Sequence, residues 1–119
     1  MLVEGQIAGG TAQGLGGVLF EDIAYDPDGQ LLAGSLADYM VPTASDMPDM
    51  VLVHQHLPSP LNPLGVKGVG EGGAVAPPAA IANAIADALT PFGAEFNSTP
   101  IRPEQIVKAV RSAPPHSRP

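Results

Sequence analysis

Side chains suited to one face of a helix recur at three- and four-residue steps near the start of the chain, at Ile7, Thr11, Leu15 and Val18. The surrounding stretch, Gly5–Glu21, also holds six glycines, each of which costs a helix about 1 kcal/mol relative to alanine. Periodicity and propensity therefore disagree. We predict a helix, and we expect a partner surface that packs closely against its bare backbone.

That contact surface is predicted from two of the glycines. Gly10 and Gly14 are four residues apart, so they share one face of the helix and leave it without side chains. Such a small-residue face lets another backbone approach closely. The sequence does not identify the partner.

A tight turn follows the helix. Ile23–Tyr25 and Leu31–Ala33 flank the run Asp26-Pro27-Asp28-Gly29, in which proline presets one turn position and glycine tolerates positive φ. This pattern predicts a β-hairpin.

Three further segments lie between the hairpin and the next helical pattern. Residues 35–48 contain two prolines and several short polar side chains, which predicts an extended or looped stretch. In Asp49–His56, the side chains of Met50, Leu52 and His54 alternate with those of Val51, Val53 and Gln55, which predicts a strand. Leu57–Gly73 contains three prolines and five glycines, so we expect one long loop, and such loops are usually functional.

The last third of the chain predicts two helices. Pro77-Pro78 can open the first, since proline nitrogens fall among the first-turn positions that have no partner, and Pro91 with Gly93 ends it. The second is predicted over Pro103–Arg111, with Glu104 near its positive end. The expected inward faces are Ile81, Ala84, Ile85, Ala88 and Leu89 in the first helix and Ile106, Val107 and Val110 in the second. Ser112–Pro119 is predicted to be a disordered tail.

Composition narrows the functional classes. The chain of 119 residues has a net charge of -7 and no basic run, which argues against nucleic-acid binding. It has no cysteine, so it offers no disulfide, zinc-thiolate or iron–sulfur ligand. No apolar run reaches the length of a membrane span and no signal peptide is evident, so a cytoplasmic location is expected. With 14 glycines, 14 prolines and few aromatic residues, loops should be as prominent as scaffold.

The candidate chemistry lies near the end of the long loop over Leu57–Gly73. Residues 68–73 match the dinucleotide-binding pattern G-x-G-x-x-G, but no convincing strand enters it, and a Walker loop is excluded because the serine or threonine it requires is missing. Glu71 is instead a single carboxylate between glycines, with Lys67 four residues earlier. Glycine-flanked backbone can approach a bulky ligand, and a carboxylate suits general-base work. A solvated loop glutamate is the alternative.

Three motifs in order resemble the xanthine dehydrogenase/aldehyde oxidase family. The loop and the helix after it, GVKGVGEGGAVAPPAAIANAI from Gly65, resemble the family's catalytic loop. GQIAGGTAQGLG from Gly5 resembles its cofactor-contacting helix, and DYMVPT from Asp38 resembles the following segment. The resemblance covers residues 4–111 and is closest to bacterial carbon monoxide dehydrogenase-type large subunits.

The resemblance implies roles for particular residues. Glu71 takes the position of the glutamate that deprotonates a molybdenum-bound hydroxyl during oxidative hydroxylation of an aldehyde, an N-heterocycle or a related substrate, or in carbon monoxide oxidation. The expected cofactor is molybdopterin, in its cytosine dinucleotide form, with molybdenum. The cofactor-binding residues implied are Gln6, Lys67, Gly68, Val69 and Gly70. No metal ligand is implied within the chain.

The resemblance also implies a fold and partners. The expected class is α+β, the C-terminal part of the family's second molybdopterin-binding domain over residues 1–111, with a Gly-rich helix, hairpin and strand, catalytic loop and two helices. Family large subunits are several times longer, so the expected partners are the upstream portion of the subunit and iron–sulfur and flavin subunits that carry those cofactors. A truncated remnant, or a non-catalytic interaction module, is the alternative.

A pair of histidines is the remaining candidate for metal chemistry. His54 and His56 lie on one face of the predicted strand, a spacing that could supply two metal ligands. With no cysteine or carboxylate nearby in sequence, a structural role is favoured.

Overall fold

The computed structural model describes residues 1–113. Three α-helices make up most of its regular structure: α1 over Leu2–Leu19, α2 over Pro77–Ala88 and α3 over Pro103–Ser112. Short 3-10 helices occupy Ala44–Asp46 and Thr90–Phe92. Within the described residues, no helix is both long and apolar enough to cross a membrane.

The predicted glycine-rich helix is confirmed and begins a turn earlier than expected. On its glycine face, Gly14 is buried against the start of α2. A Cβ atom placed on Gly14 would lie 2.7 Å from Cβ of Pro77, closer than real contacts allow. The absence of a side chain at Gly14 therefore sets the separation of α1 and α2.

The buried centre of the described chain lies at the C-terminal end of α1. Val18 is fully buried and Ile101 is 1% exposed. The Ile101 N–H donates to the Val18 carbonyl oxygen at 2.6 Å, and the Arg102 guanidinium pairs with the Asp22 carboxylate. Ala113, just after α3, is also buried. These contacts tie the end of α1 to the segment that leads into α3.

The predicted hairpin is present, but with a single bridge between Tyr25 and Leu31. The Asp26 carboxylate accepts hydrogen bonds from the backbone N–H groups of Asp28 at 2.9 Å and Gln30 at 2.8 Å. Gly29 has a φ of 84°, the positive value that the turn requires. The turn is thus formed by local hydrogen bonds, while its strands do not extend.

The predicted strand over 49–56 is wrong, because these residues form no regular secondary structure. A strand is stable only when a neighbouring strand completes its hydrogen bonds. Among residues 1–113, the one β-bridge is the one between Tyr25 and Leu31. Val51 and Val53 are 90% and 83% exposed. The alternating pattern therefore has no partner strand here, and the expected α+β class reduces to a helical structure with one bridge.

The two later helices are confirmed, with corrections. In α2, Ile81 and Ile85 are half-buried, as is Leu89 just after the helix, but Ala84 and Ala88 are exposed. The inward face of this helix is therefore narrower than the apolar stripe predicted.

In α3, Ile106 and Val110 are half-buried, whereas Val107 is 46% exposed and does not face inward. The predicted tail began too early, because Ser112 belongs to α3 and Ala113 is buried. The rest of that predicted tail lies outside the described residues.

The chain leaves an unusually large apolar surface open. Its radius of gyration is 18.5 Å, against about 13–14 Å for a compact domain of this length. It exposes 8938 Å², whereas a compact monomer of this mass exposes about 6,000 Å². Large apolar side chains such as Leu36, Leu61 and Leu64 are more than four-fifths exposed. Surface of this kind is typical of a segment that other polypeptide covers.

We expect Ile101→Ala to lower the free energy of unfolding by about 2–4 kcal/mol, because it removes a buried side chain and leaves a cavity. Urea denaturation followed by far-UV circular dichroism measures this. The matched control is Ile23→Ala, since Ile23 is 61% exposed, and its change should stay within about 0.5 kcal/mol. Equal losses in the two variants would contradict the placement of the core at Val18 and Ile101.

Candidate functional site

The long loop is confirmed, and it ends in a turn that surrounds Glu71. Residues 57–73 contain no helix or strand. The Gly72 N–H donates to the Val69 carbonyl at 3.2 Å, and the Ala74 N–H donates to the Glu71 carbonyl at 3.0 Å. The Glu71 side chain is exposed and, within residues 1–113, makes no hydrogen bond or ion pair. Its carboxylate is therefore available to an external group.

The base of the loop is held in place by one side chain. The Asn62 amide donates to the Val66 carbonyl at 3.0 Å, and its oxygen accepts from the Val66 N–H at 3.0 Å. The Ser59 N–H also donates to the Gly65 carbonyl at 3.0 Å. Because both the amide nitrogen and the amide oxygen of Asn62 bind the backbone of Val66, the position of Val66, where the next segment begins, is fixed.

Beyond Val66, the backbone offers a run of free donors. Over 67–71, no backbone N–H donates a hydrogen bond to any part of the chain that the structure describes. A Cβ atom at Gly68 or Gly70 would have nothing within 4 Å. Successive free N–H groups beside open glycines can bind an oxygen-rich, anionic ligand that approaches the backbone closely.

The other predicted cofactor-binding residues lie on α1 and along the same loop. Gln6 lies in the early part of α1, with an exposed side chain that has no partner among residues 1–113. Lys67 is also exposed, and Val69 is half-buried. The side-chain donors of Gln6 and Lys67 are therefore exposed to solvent in the isolated chain.

Two glycine-containing segments bring Gln6 and Glu71 into one region. Gly73, two residues after Glu71, is buried against α1. A Cβ atom on Gly73 would lie 2.8 Å from the Gln6 carbonyl oxygen, and one on Gly10 would lie 2.7 Å from the Gly73 carbonyl carbon. The backbones touch with no side chain between them. Gly73 is thus the partner of Gly10 on the small-residue face of α1, as Pro77 is the partner of Gly14, and the sequence pattern did not reveal either.

The predicted site residues lie apart from the cavity at the end of α1 within the described part of the chain. A cavity of about 500 Å³ opens at the other end of α1, where Leu19, Leu32, Met40 and Arg102 are among its walls. None of the predicted site residues lines it. The region around Glu71 is an open surface of the chain, so any pocket there needs further walls.

One of the two histidines, His54, lies close to α1. The rings of His54 and His56 have centroids 6.3 Å apart, and His54 Nε2 lies 3.9 Å from a Glu4 carboxylate oxygen. Among residues 1–113, no group of three or more metal-ligating side chains comes together. An ion pair between a protonated His54 and Glu4 is the interaction this geometry provides.

A hydrogen bond between Tyr39 and Glu21, called the tether below, holds the segment after the hairpin close to the end of α1. The Tyr39 hydroxyl donates to the Glu21 carboxylate, and the Glu21 N–H donates to the Gly16 carbonyl at 2.8 Å. The hydrogen bond to Glu21, with smaller contributions from desolvation and from the charge of Glu21, raises the pKa of Tyr39 above its usual value. Sequence reasoning missed this pair because no local pattern links residues that are 18 apart.

Further along the same segment, Thr43 caps the 3-10 helix. Its N–H and its hydroxyl donate to the Asp46 carboxylate at 2.7 and 2.8 Å, and these bonds hold the pKa of Asp46 below its usual value. Because the folded pKa is lowered, this stabilisation is present above the unfolded pKa and is lost as the pH falls through the folded value.

Comparison with known proteins covers nearly the whole chain. Residues 1–48 match the family model described as a molybdopterin cofactor-binding domain. The large subunit of nicotine 6-hydroxylase from Paenarthrobacter nicotinovorans is 46% identical over 92% of this chain and 14% of that protein. The carbon monoxide dehydrogenase large chain of Hydrogenophaga pseudoflava is 32% identical over 93% of this chain and 14% of that protein.

A solved structure agrees with these relatives. Quinoline 2-oxidoreductase from Pseudomonas putida 86 superposes with a TM-score of 0.89 and 44% sequence identity, over 96% of this chain and 14% of that chain. The chain therefore spans about one seventh of the length of the proteins it matches.

In a Tyr25→Phe background, where Tyr39 is the remaining tyrosine, we expect phenolate absorbance to titrate at a higher pH than that of a free tyrosine and Glu21→Ala to lower the midpoint. Because the folded pKa is raised, the stabilisation by this pair is fully present below the unfolded pKa and is lost as the pH rises through the folded value. Glu95→Ala, at an exposed residue on another part of the chain, is the control. A midpoint that Glu21→Ala leaves unchanged would contradict the tether.

Proposed function

Because the chain belongs to the xanthine dehydrogenase family of molybdopterin-binding large subunits, we propose that it forms the part of a molybdenum hydroxylase that supplies Glu71 as catalytic base. The single observation that supports this most directly is the geometry around Glu71. Its exposed carboxylate follows a run of free backbone donors, and its turn rests on the helix that presents Gln6. The backbone segments that carry the base, the donors and the amide thus lie next to one another.

The donor set fits the molybdopterin cofactor. The free N–H groups of Gly68, Val69 and Gly70 and the Lys67 ammonium can bind anionic oxygens, and the Gln6 amide can both donate and accept at a polar edge. When bound, the cofactor supplies the two-electron redox centre. The cytosine dinucleotide form is our proposal for its identity. Iron–sulfur clusters belong to other chains or segments, since this chain has no cysteine to ligate them. We propose that the flavin is also bound there.

Glu71 acts as a general base in this proposal. It accepts the proton released as the attacking oxygen nucleophile forms, which requires the ionised carboxylate within hydrogen-bond reach of that oxygen. A Cβ atom on Gly70, just before Glu71, would have nothing within 4 Å, so a ligand can approach the backbone closely on that side of the base. The walls that enclose the reaction come from the remainder of the large subunit, so the chain alone is expected to be inactive.

We propose an aromatic N-heterocycle as the substrate class. The names of two relatives specify nicotine and quinoline, both of which contain a nitrogen heterocycle, and they are 46% and 44% identical to this chain. The carbon monoxide dehydrogenase large chain is 32% identical. Aldehyde oxidation and carbon monoxide oxidation are the other reactions to test.

A non-catalytic interaction module is the second candidate. Its support is the apolar surface of the chain, with Leu36, Leu61 and Leu64 more than four-fifths exposed. The two candidates differ in what happens after assembly with the rest of a large subunit. A molybdopterin-dependent oxidation in the assembled protein supports the enzyme, whereas assembly without turnover supports the module.

In an assembled, cofactor-loaded large subunit, we expect Glu71→Gln to lower kcat by at least about 100-fold, because the amide cannot accept the proton. Molybdenum and pterin content should remain at the level of the unmodified protein, as measured by metal analysis and by fluorescence of the released pterin. Glu95→Gln, at an exposed residue outside the loop, is the control. Unchanged turnover in Glu71→Gln would remove this residue from the mechanism.

A further inference from the structure

We propose that Gly10 on α1 is a positioning residue, which fixes the Glu71 loop relative to Gln6 through direct contact with the backbone of Gly73. This inference rests on the proposed function, since it concerns the placement of the proposed base. It goes beyond that function because neither Gly10 nor Gly73 touches substrate or cofactor in the proposal.

The first support is the closeness of the contact from the side of α1. A Cβ atom on Gly10 would lie 2.7 Å from the carbonyl carbon of Gly73, and 2.8 Å from both its Cα atom and the Ala74 nitrogen. All three atoms belong to the backbone, which cannot rotate away as a flexible side chain can. An added methyl group must therefore displace the loop or the helix.

The second support comes from the opposite side. A Cβ atom on Gly73 would lie 2.5 Å from the Ile7 carbonyl oxygen and 2.8 Å from that of Gln6. Both partners in the contact thus lack room for even one methyl group. The backbone carbonyl oxygen of Gln6 is part of this contact. Gly73 therefore packs directly against the backbone of the residue that is proposed to bind the cofactor.

The contact reaches Glu71 through a short and hydrogen-bonded path. Glu71 precedes Gly73 by two residues, and the Ala74 N–H donates to its carbonyl at 3.0 Å. Ala74 is one of the residues that a Gly10 side chain would strike. Displacing this turn by about 0.5–1 Å moves the base by a similar amount, and misplacement of a catalytic group by about 1 Å can cost about 100-fold in rate.

A neighbouring contact limits how the loop can relax. Gly14, one turn further along α1, is buried against Pro77 and Pro78 at the start of α2. The chain is therefore held against the same helix face at Gly73 and again at Pro77. Because Pro77 is held against Gly14, we expect a side chain added at Gly10 to displace the turn at Glu71 more than it displaces α2.

The same helix supplies matched controls. Gly9 adjoins Gly10 in sequence, yet a Cβ atom there would have nothing within 4 Å, and the same holds for Gly17. Replacing Gly9 with alanine makes the same chemical change in the same helix and raises its intrinsic helix propensity equally. A difference between Gly10→Ala and Gly9→Ala therefore reports the contact rather than the helix.

The experiment compares Gly10→Ala, Gly73→Ala and Gly9→Ala in the assembled, cofactor-loaded large subunit. Rates are normalised to bound molybdenum, and hydrogen exchange of the peptide spanning residues 65–76 is followed by mass spectrometry. We expect Gly10→Ala and Gly73→Ala to lower kcat about 10- to 100-fold, with KM within about threefold. We also expect faster exchange in the loop and a shifted acidic limb of the kcat profile against pH. Gly9→Ala should match the unmodified protein in every measurement.

Three outcomes overturn the proposal. The first is that Gly10→Ala has the same kinetics and the same hydrogen exchange as Gly9→Ala. The second is that the activity lost in Gly10→Ala lies wholly in cofactor content, with normal turnover per molybdenum and an unshifted pH profile. The third is that Gly10→Ala and Gly73→Ala both fail to assemble while Gly9→Ala assembles, which assigns the contact to folding and not to positioning.

The proposed function is tested separately. Wild-type turnover in Glu71→Gln would show that Glu71 is not the base. The hydrogen-exchange result for Gly10→Ala would then describe only the geometry of the loop. An inactive Glu71→Gln together with a normal Gly10→Ala retains the base and removes the positioning role. The two failures are therefore distinguishable.

Discussion

Two stretches of backbone meet without side chains where α1 passes the turn after Glu71, and much of the described structure is arranged around that approach. Glycines weaken α1 as a helix, at about 1 kcal/mol each. The same absence of side chains at Gly10 and Gly14 allows the loop and α2 to lie directly against it. A helix of poor intrinsic propensity thus becomes the surface that organises the loop. Its stability depends on neighbours more than on its own sequence.

Local signals predicted the elements that local interactions stabilise. The prolines that open α2 and α3 placed both helices within a residue or two, and the turn before Gly29 formed as its sequence indicated. The strand over 49–56 failed because a strand depends on a partner that the described chain does not provide. The pairs that hold distant segments, Glu21 with Tyr39 and Asp22 with Arg102, left no signal, since their partners are 18 and 80 residues apart.

The candidate site was predictable in its parts but not in its arrangement. Composition identified Glu71 as a lone carboxylate among glycines, and the resemblance of ordered motifs joined it to Gln6. The structure adds that their segments touch through Gly73 and that the N–H groups before Glu71 are free within residues 1–113. Neither fact follows from spacing in sequence, because each depends on how the loop returns to α1.

The link between Asp22 and Arg102 has a consequence for how the chain folds. It joins residues 80 apart, beside the buried pair Val18 and Ile101. Closing so long a loop has a large entropic cost that few contacts offset until the intervening segments are ordered. Helices α2 and α3 can form early from local contacts, whereas the buried centre forms late. The folding rate of this chain should therefore be governed by its long-range closure, with a transition state in which the end of α1 has met the segment that leads into α3.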